Sequence, residues 1–344
     1  MEKVEVMQTV VPESRELIER RYIILRNIYF SQPVGRRALA AKLDFSERTI
    51  RREVEVLRQQ GLVEPDPLGM RLTSEGELIL ARLTDFLHDL LGLGELERSV
   101  EKLLNLKEVL VVPGDSDRDE TIKKEIAKAT VQFLLKRLEG GQVLVVTGGT
   151  TLAEVARYLP PLQDKKEVVV VPGRGGLGEN VELQANTIAA AFANHLGGTY
   201  RLLHVPDDLD QEVLSTICNE PKVREIVDLI RSADMVLHGI GTAQEMARRR
   251  ALSMEQRKKL FDSGAVGEAF GYYFNEEGQI VHSVTSAGLH FHDLANIGLV
   301  VAVGGGHTKA DAVVSVLAHG YQDVLITDEG AARQIHARLT GGKG

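Results

Sequence analysis

Five residues in a row, Thr147-Gly148-Gly149-Thr150-Thr151, follow an apolar run, Val143 to Val146, and precede a helical pattern that opens at Leu152 and continues through Val155 and Ala156. A buried strand, a glycine turn and a helix start together make an anion site. Glycines let the backbone approach a ligand closely, and the free N–H groups and dipole of the helix start favour negative charge. The threonine hydroxyls add donors, which suits a phosphate monoester. The same residues would also make an ordinary strand-to-helix turn with Thr150 or Thr151 as N-cap.

Cations stand near other glycine turns. Arg174 sits inside Gly173-Arg174-Gly175-Gly176-Leu177-Gly178, Lys309 follows Gly304-Gly305-Gly306-His307-Thr308, and Arg248, Arg249 and Arg250 come shortly after Gly239-Ile240-Gly241. An isolated arginine is usually a surface charge, whereas cations beside converging glycine loops read as anion ligands. Gln184 and Asn186 fall early in the helix after the Arg174 loop and either bond sugar hydroxyls or face solvent. Glu268, in an apolar, glycine-rich stretch, either accepts from a hydroxyl or is an exposed turn glutamate. His290 and His292 form an H-x-H pair without further ligands at metal spacing, so no metal is expected. Cys218 is the single cysteine, which excludes an intramolecular disulfide framework.

These residues need a scaffold, and the pattern supplies one. From Lys107 onward apolar runs near 108–112, 143–147, 167–172, 200–205, 234–239, 298–303 and 323–327 alternate with helical patterns. That alternation predicts an α/β domain with a mostly parallel sheet, whose ligands bind beyond the carboxyl ends of the strands, where the glycine loops lie. No loop reads G-x-G-x-x-G with an acidic residue ending the next strand, which argues against a dinucleotide site. With 344 residues the chain has room for more than one domain. No apolar run approaches membrane-spanning length and no signal-peptide core opens the chain, so a cytoplasmic location is expected.

The first ninety residues read differently. A helix over 13–30 is followed by a short one carrying Ala38, Leu39 and Leu43, then by the turn Asp44-Phe45-Ser46 with Ser46 as N-cap. The next helix buries Ile50, Val54 and Leu57 and turns Arg48, Arg51, Arg52, Glu55 and Arg58 outward. Two short helices, a tight turn and a basic second helix match helix-turn-helix. Residues 62–72 predict a hairpin wing, with Arg71 placed to meet a phosphate. The formal net charge is −8, so attraction to DNA must be local, and Gly35 to Arg58 is net basic. The DNA-contacting residues are thus Arg36, Arg37, Ser46, Arg48, Thr49, Arg51, Arg52 and Arg71. Thr73 or Ser74 caps a further helix, Ser74 with Glu77 forms a capping box, and Ile79, Leu83, Phe86 and Leu90 offer a dimer seam. The expected division is a winged helix-turn-helix domain over 1–91, a linker over 92–106 and an effector domain over 107–344.

Several stretches, among them PVGRRALAAKLDFSERTIRREVEVL, VVPGDSD, VTGGTT, VPGRGGLGENVELQANTI, HGIGTAQEMARRR and TDEGAA, run in order along nearly the whole chain. On them the sequence resembles the SorC/DeoR-like bacterial transcriptional regulators. The resemblance implies a winged helix joined to a sugar-phosphate-binding domain similar in fold to glucosamine-6-phosphate deaminase and ribose-5-phosphate isomerase. It implies fructose-1,6-bisphosphate as effector rather than any cofactor, and the operator of a glycolytic operon as target of a repressor. It places effector contacts at Thr150, Thr151, Arg174, Gln184, Arg249, Glu268 and Lys309, beside Gly148 and Gly149. On this basis one phosphate is expected at Thr150-Thr151 with Lys309 and the other at Arg174 with Arg249, Gln184 and Glu268 lying between. A homodimer or tetramer is expected, since two-fold oligomers read palindromic sites. The alternative is a sugar-phosphate isomerase or deaminase with an accessory DNA-binding domain. It would need an acid–base pair, and Glu268 has no convincing partner in the sequence.

Overall fold

The computed structural model describes residues 10–162, 167–176 and 180–341, so Leu177 and Gly178 of the Arg174 loop lie outside the described residues. The chain forms two compact units, Met1–Glu95 and Leu96–Gly344.

The first unit contains α1 (Glu13–Ser31), α2 (Arg36–Leu43), α3 (Glu47–Gln59), the hairpin β1 (Val63–Asp66) and β2 (Gly69–Leu72), and α4 (Ser74–Leu90). Ser46 caps α3, its Oγ accepting the Thr49 N–H at 3.1 Å. Ile50, Val54 and Leu57 point inward and pack with Tyr22, Leu25, Ile28 and Leu39. The antiparallel hairpin turns between Asp66 and Gly69. Gly69 is required there, because φ is +155° and a Cβ would stand 2.5 Å from the Val34 carbonyl. Two details differ from expectation. Thr73, not Ser74, caps α4 by accepting the Gly76 N–H, so there is no Ser74–Glu77 box. Leu90 is buried, and Leu83 and Phe86 pack against the domain's own core, so the face proposed as a seam is largely used internally.

α5 (Leu93–Leu104) starts in the first unit and ends in the second, so the stretch expected as linker is mostly helix. In the second unit a seven-stranded parallel sheet comprises β3 (Glu108–Val112), β4 (Val143–Val146), β5 (Val169–Pro172), β6 (Thr199–Tyr200), β7 (Met235–Gly239), β12 (Leu299–Val303) and β13 (Val324–Asp328). Their order is β3-β13-β12-β7-β4-β5-β6. Between them run α6 (Thr121–Arg137), α7 (Thr150–Tyr158), α8 (Ala185–Leu196), α9 (Gln211–Asn219), α10 (Pro221–Arg231), α11 (Ala243–Arg249), α12 (Met254–Asp262) and α13 (Ala310–Leu317), with α14 (Glu329–Leu339) last. Val/Leu/Ile-rich strands buried on both faces are what such a sheet requires, and Leu144, Val146, Leu237, Val301 and Ile326 share one core.

The strand expected over 200–205 is only two residues long. Beyond it the Asn186 side chain bonds both the N–H and the carbonyl of Leu203, at 3.1 and 3.0 Å, and takes over the role of a neighbouring strand. Asn186 is therefore structural rather than a sugar contact. The pattern also missed a four-stranded antiparallel sheet of β8 (Gly241–Thr242), β9 (Ala265–Ala269), β10 (Tyr272–Asn275) and β11 (Ile280–Ser283), ordered β11-β10-β9-β8. Its strands are short, bulged and interrupted by glycine, so no alternation runs long enough to register.

Candidate functional site

Chain order changes direction at β7. The neighbours of β4 are β5 and β7, while β7 leads on to β12. A crevice beyond the carboxyl ends of strands at such a reversal is where open α/β sheets bind ligands. A cleft lies there, lined by residues after β4, β5, β7 and β12 together with β9. The nine residues expected at the effector site, Gly148, Gly149, Thr150, Thr151, Arg174, Gln184, Arg249, Glu268 and Lys309, all line it, whereas Asn186 and Arg248 do not.

The floor is the start of α7. Gly149 occupies the N-cap position at φ 123°, and no side chain caps the helix, so neither Thr150 nor Thr151 serves as N-cap. Gly149 N–H is used by the Leu183 carbonyl at 2.9 Å, and a Cβ on Gly148 would lie 2.7 Å from that same oxygen. The loop is thus clamped against residues 183–185, with the first-turn N–H groups directed outward. Gln184 precedes α8 as its N-cap residue rather than lying within it. Lys309 reaches the rim from a 3-10 turn, 3.7 Å from Glu245.

The cations are arranged differently from expectation. Arg249 Nη1 lies 3.9 Å from where a Gly149 Cβ would stand, beside the first loop. Arg250 takes the place next to Arg174. Arg174, 7 % exposed, faces Asp207 at 2.7 Å and Glu268 at 3.7 Å, while Arg250 faces the same two carboxylates at 3.9 and 3.4 Å. Burial lowers the Arg174 pKa and the Asp207 charge opposes the shift. Glu268 is a buried residue of β9, not an exposed turn glutamate, and its carboxylate also accepts the Gly271 N–H at 2.6 Å. A Cβ on Gly271 would stand 1.9 Å from Arg174 Nη1, so only glycine fits there. Asp207 was missed by sequence reasoning, and Arg250 was named only as one of three adjacent candidates. Asp207 sits in a loop without glycines, and Arg250 was hidden among three consecutive arginines.

Two neighbouring features are structural. Asp328, fully buried at the end of β13, accepts N–H groups from Ser116, Gly306 and Ala331 at 2.8 to 2.9 Å and joins three loops. Asp115, Asp117 and His307 hold potential ligand atoms within 4.8 Å of one another. Asp117 accepts from the Thr308 N–H and hydroxyl and His307 Nδ1 meets Asp115 at 2.7 Å, which latches the 307–309 turn.

In the first unit Arg36, Arg37, Arg48, Arg51, Arg52 and Arg71 are exposed. The Ser46 and Thr49 hydroxyls bond each other at 2.8 Å within the cap. Arg71 is held by Asp66 across the wing, and Arg37 lies 3.6 Å from Glu47. Arg52 leans on Glu53 at 2.8 Å, and that carboxylate, 1 % exposed, also takes Arg21 at 3.0 Å and Arg20 at 3.7 Å. Burial alone would raise the Glu53 pKa, but bonds from Arg52 and Arg21 outweigh it and hold the pKa below the usual range.

A winged helix-turn-helix joined in one chain to a parallel-sheet domain with a glycine-loop cleft defines a ligand-responsive transcriptional regulator. Residues 17–87 match the CggR N-terminal DNA binding domain family, and residues 88–337 match a sugar-binding domain family. The central glycolytic genes regulator of Bacillus subtilis is 44% identical over 332 residues, covering 96% of this chain and 98% of that protein. The protein of the same name from Priestia megaterium is 45% identical, covering 96% and 97%. Among solved structures, a SorC family transcriptional regulator from Enterococcus faecalis aligns with TM-score 0.65 and 38% identity over 70% of this chain and 99% of that one. The full-length sorbitol operon regulator SorC from Klebsiella pneumoniae, 18% identical, shares the fold over 92% of this chain and 98% of that one, with TM-score 0.64. The chain belongs to the SorC family of sugar-binding transcriptional regulators, on the branch of the central glycolytic genes regulators. The relatives named are transcriptional regulators, and the N-terminal family model is a DNA-binding one. Among the described residues no helix is long and apolar enough to cross a membrane.

Proposed function

We propose that the protein is a cytoplasmic repressor of a glycolytic operon that binds operator DNA through residues 1–91 and is controlled by fructose-1,6-bisphosphate held by residues 107–344. The observation that carries the effector reading is the convergence of nine residues from separate elements and loops on one cleft, with an uncapped helix start at its floor. One phosphate lies at the first turn of α7, with the Thr150 and Thr151 hydroxyls, Lys309 and Arg249. The other lies at Arg174, whose planar guanidinium suits bidentate contact. Gln184 and Glu268 read hydroxyls between them. The names of the relatives support the glycolytic target. Arg36, Arg37, Arg48, Arg51, Arg52 and Arg71 supply phosphate and base contacts, with Ser46 and Thr49 at the entry of α3, and a symmetric dimer or tetramer reads a palindrome.

Calorimetry of the parent and Arg174→Ala with fructose-1,6-bisphosphate and fructose-6-phosphate tests this. The parent should prefer the bisphosphate by about ten-fold or more, as losing charge-assisted bonds of about 1.5–3 kcal/mol each requires. Arg174→Ala should lose most of that preference. Equal weakening for both sugars would contradict the two-phosphate assignment.

A further inference from the structure

Arg174 is a buried cation of the cleft, yet its Nε, Nη1 and Nη2 have no hydrogen-bond partner among the described residues, and neither do the two carboxylate oxygens of Asp207. The two groups are 2.7 Å apart, with side chains 8 % and 3 % exposed. They are therefore in charge contact without a directed hydrogen bond. Buried donors and acceptors are ordinarily satisfied, and a set that is not calls for a partner. Arg250, also near Asp207, has an unsatisfied Nε as well. With Glu268 the cluster carries two positive and two negative charges, so it is neutral without a ligand and carries excess negative charge once an anion enters.

Resting on the reading of the cleft as a sugar-phosphate site, we propose that Asp207 is its specificity-determining residue. The Asp207 carboxylate stands at Arg174 in the position that an anionic group of the ligand takes, and only a ligand with a second phosphate displaces it. A phosphate has more acceptor oxygens than a carboxylate and satisfies the open guanidinium donors. A monophosphate seated at α7 leaves the Arg174–Asp207 contact in place. Asp207 thus imposes a cost on anions at this end, which the bisphosphate overcomes by binding both ends. The exchange reaches the backbone. Asp207 N–H donates to Gly176 at 3.2 Å, Gly176 N–H donates to Val205 at 3.3 Å, and Asp208 N–H donates to Thr285 at 2.8 Å. A Cβ on Gly175 would stand 1.9 Å from the Val205 carbonyl, so the Arg174 loop and residues 205–208 are packed directly together. Displacing Asp207 loosens that segment just ahead of α9.

Calorimetry on full-length Asp207→Asn, with Asp208→Asn as a charge control, tests the proposal. Asp207→Asn should bind fructose-1,6-bisphosphate about ten-fold more tightly than the parent and fructose-6-phosphate nearly unchanged, because one buried like charge has been removed. Asp208→Asn should behave as the parent. Unchanged or weaker bisphosphate binding by a folded Asp207→Asn, with parent binding intact, overturns the role of Asp207. If the parent itself binds neither sugar, the reading of the cleft fails instead. Hydrogen exchange on the parent tests the same displacement without a variant. The segment 205–208 should exchange faster with the bisphosphate and not with the monophosphate, and equal protection with both ligands contradicts the displacement.

Discussion

Single buried charges and rings decide much of the behaviour of this protein. Glu53 gathers Arg20, Arg21 and Arg52 from two helices around one carboxylate. Replacing it with glutamine should cost about 1–3 kcal/mol in the DNA-binding domain, since the arginines are partly solvated and lose only part of their stabilisation. It should also free Arg52 and weaken operator binding, measurable by urea unfolding and fluorescence anisotropy. Because the folded pKa of Glu53 is depressed, its contribution is present above the unfolded value, near 4.5, and is lost as pH falls through the folded value. His238, in the central strand β7, is fully buried against Phe270, with ring centroids 4.7 Å apart. Burial pushes its pKa down to about 4, the bond to the Gly239 carbonyl opposing the shift. The unfolded chain takes up that proton first, so stability should fall by about 3 kcal/mol as pH drops from about 6.5 to about 4. His238→Leu should flatten that part of the pH–stability curve, and an unchanged slope would acquit His238.

At the scale of elements, the cleft depends on loops held in fixed positions by backbone contacts. Gly148→Ala would drive a Cβ into the Leu183 carbonyl and shift the start of α7. The expected result is a loss of about 1–3 kcal/mol in stability, as for other overpacked sites, together with weaker fructose-1,6-bisphosphate binding. Thermal unfolding and calorimetry would report both, and unchanged affinity would detach α7 from the site. What the sequence revealed followed the physics of each element. Long Val/Leu/Ile runs announced the parallel strands, glycines after them announced the loops, and the Ser46 cap with the Ile50-Val54-Leu57 stripe announced α3. The β8–β11 sheet was illegible because its short strands carry no lasting period. Asp207 and the choice of Arg250 over Arg249 beside Arg174 were illegible because they depend on how loops distant in sequence meet.

For the whole molecule, a net charge of −8 leaves attraction to DNA to local basic residues such as the arginines of α3, the proposed contact face. Arg48→Ala and Arg51→Ala should each lower the slope of log K against log salt by about 1 if they meet phosphates, and a base contact would cost about 1–3 kcal/mol with relaxed sequence preference. Variants with the parent's slope and affinity would remove those residues from the interface. Control of DNA binding by the cleft requires a ligand with different affinity for two states, since a ligand shifts an equilibrium only by that difference. The direct measurement is fluorescence anisotropy of a palindromic operator, selected from random DNA by the protein itself, titrated in the presence of fructose-1,6-bisphosphate or fructose-6-phosphate. Saturating bisphosphate should change operator affinity by about five-fold or more, the monophosphate should change it less, and Arg174→Ala should remove the difference. Operator affinity that is the same with and without saturating bisphosphate would contradict control of DNA binding by the cleft.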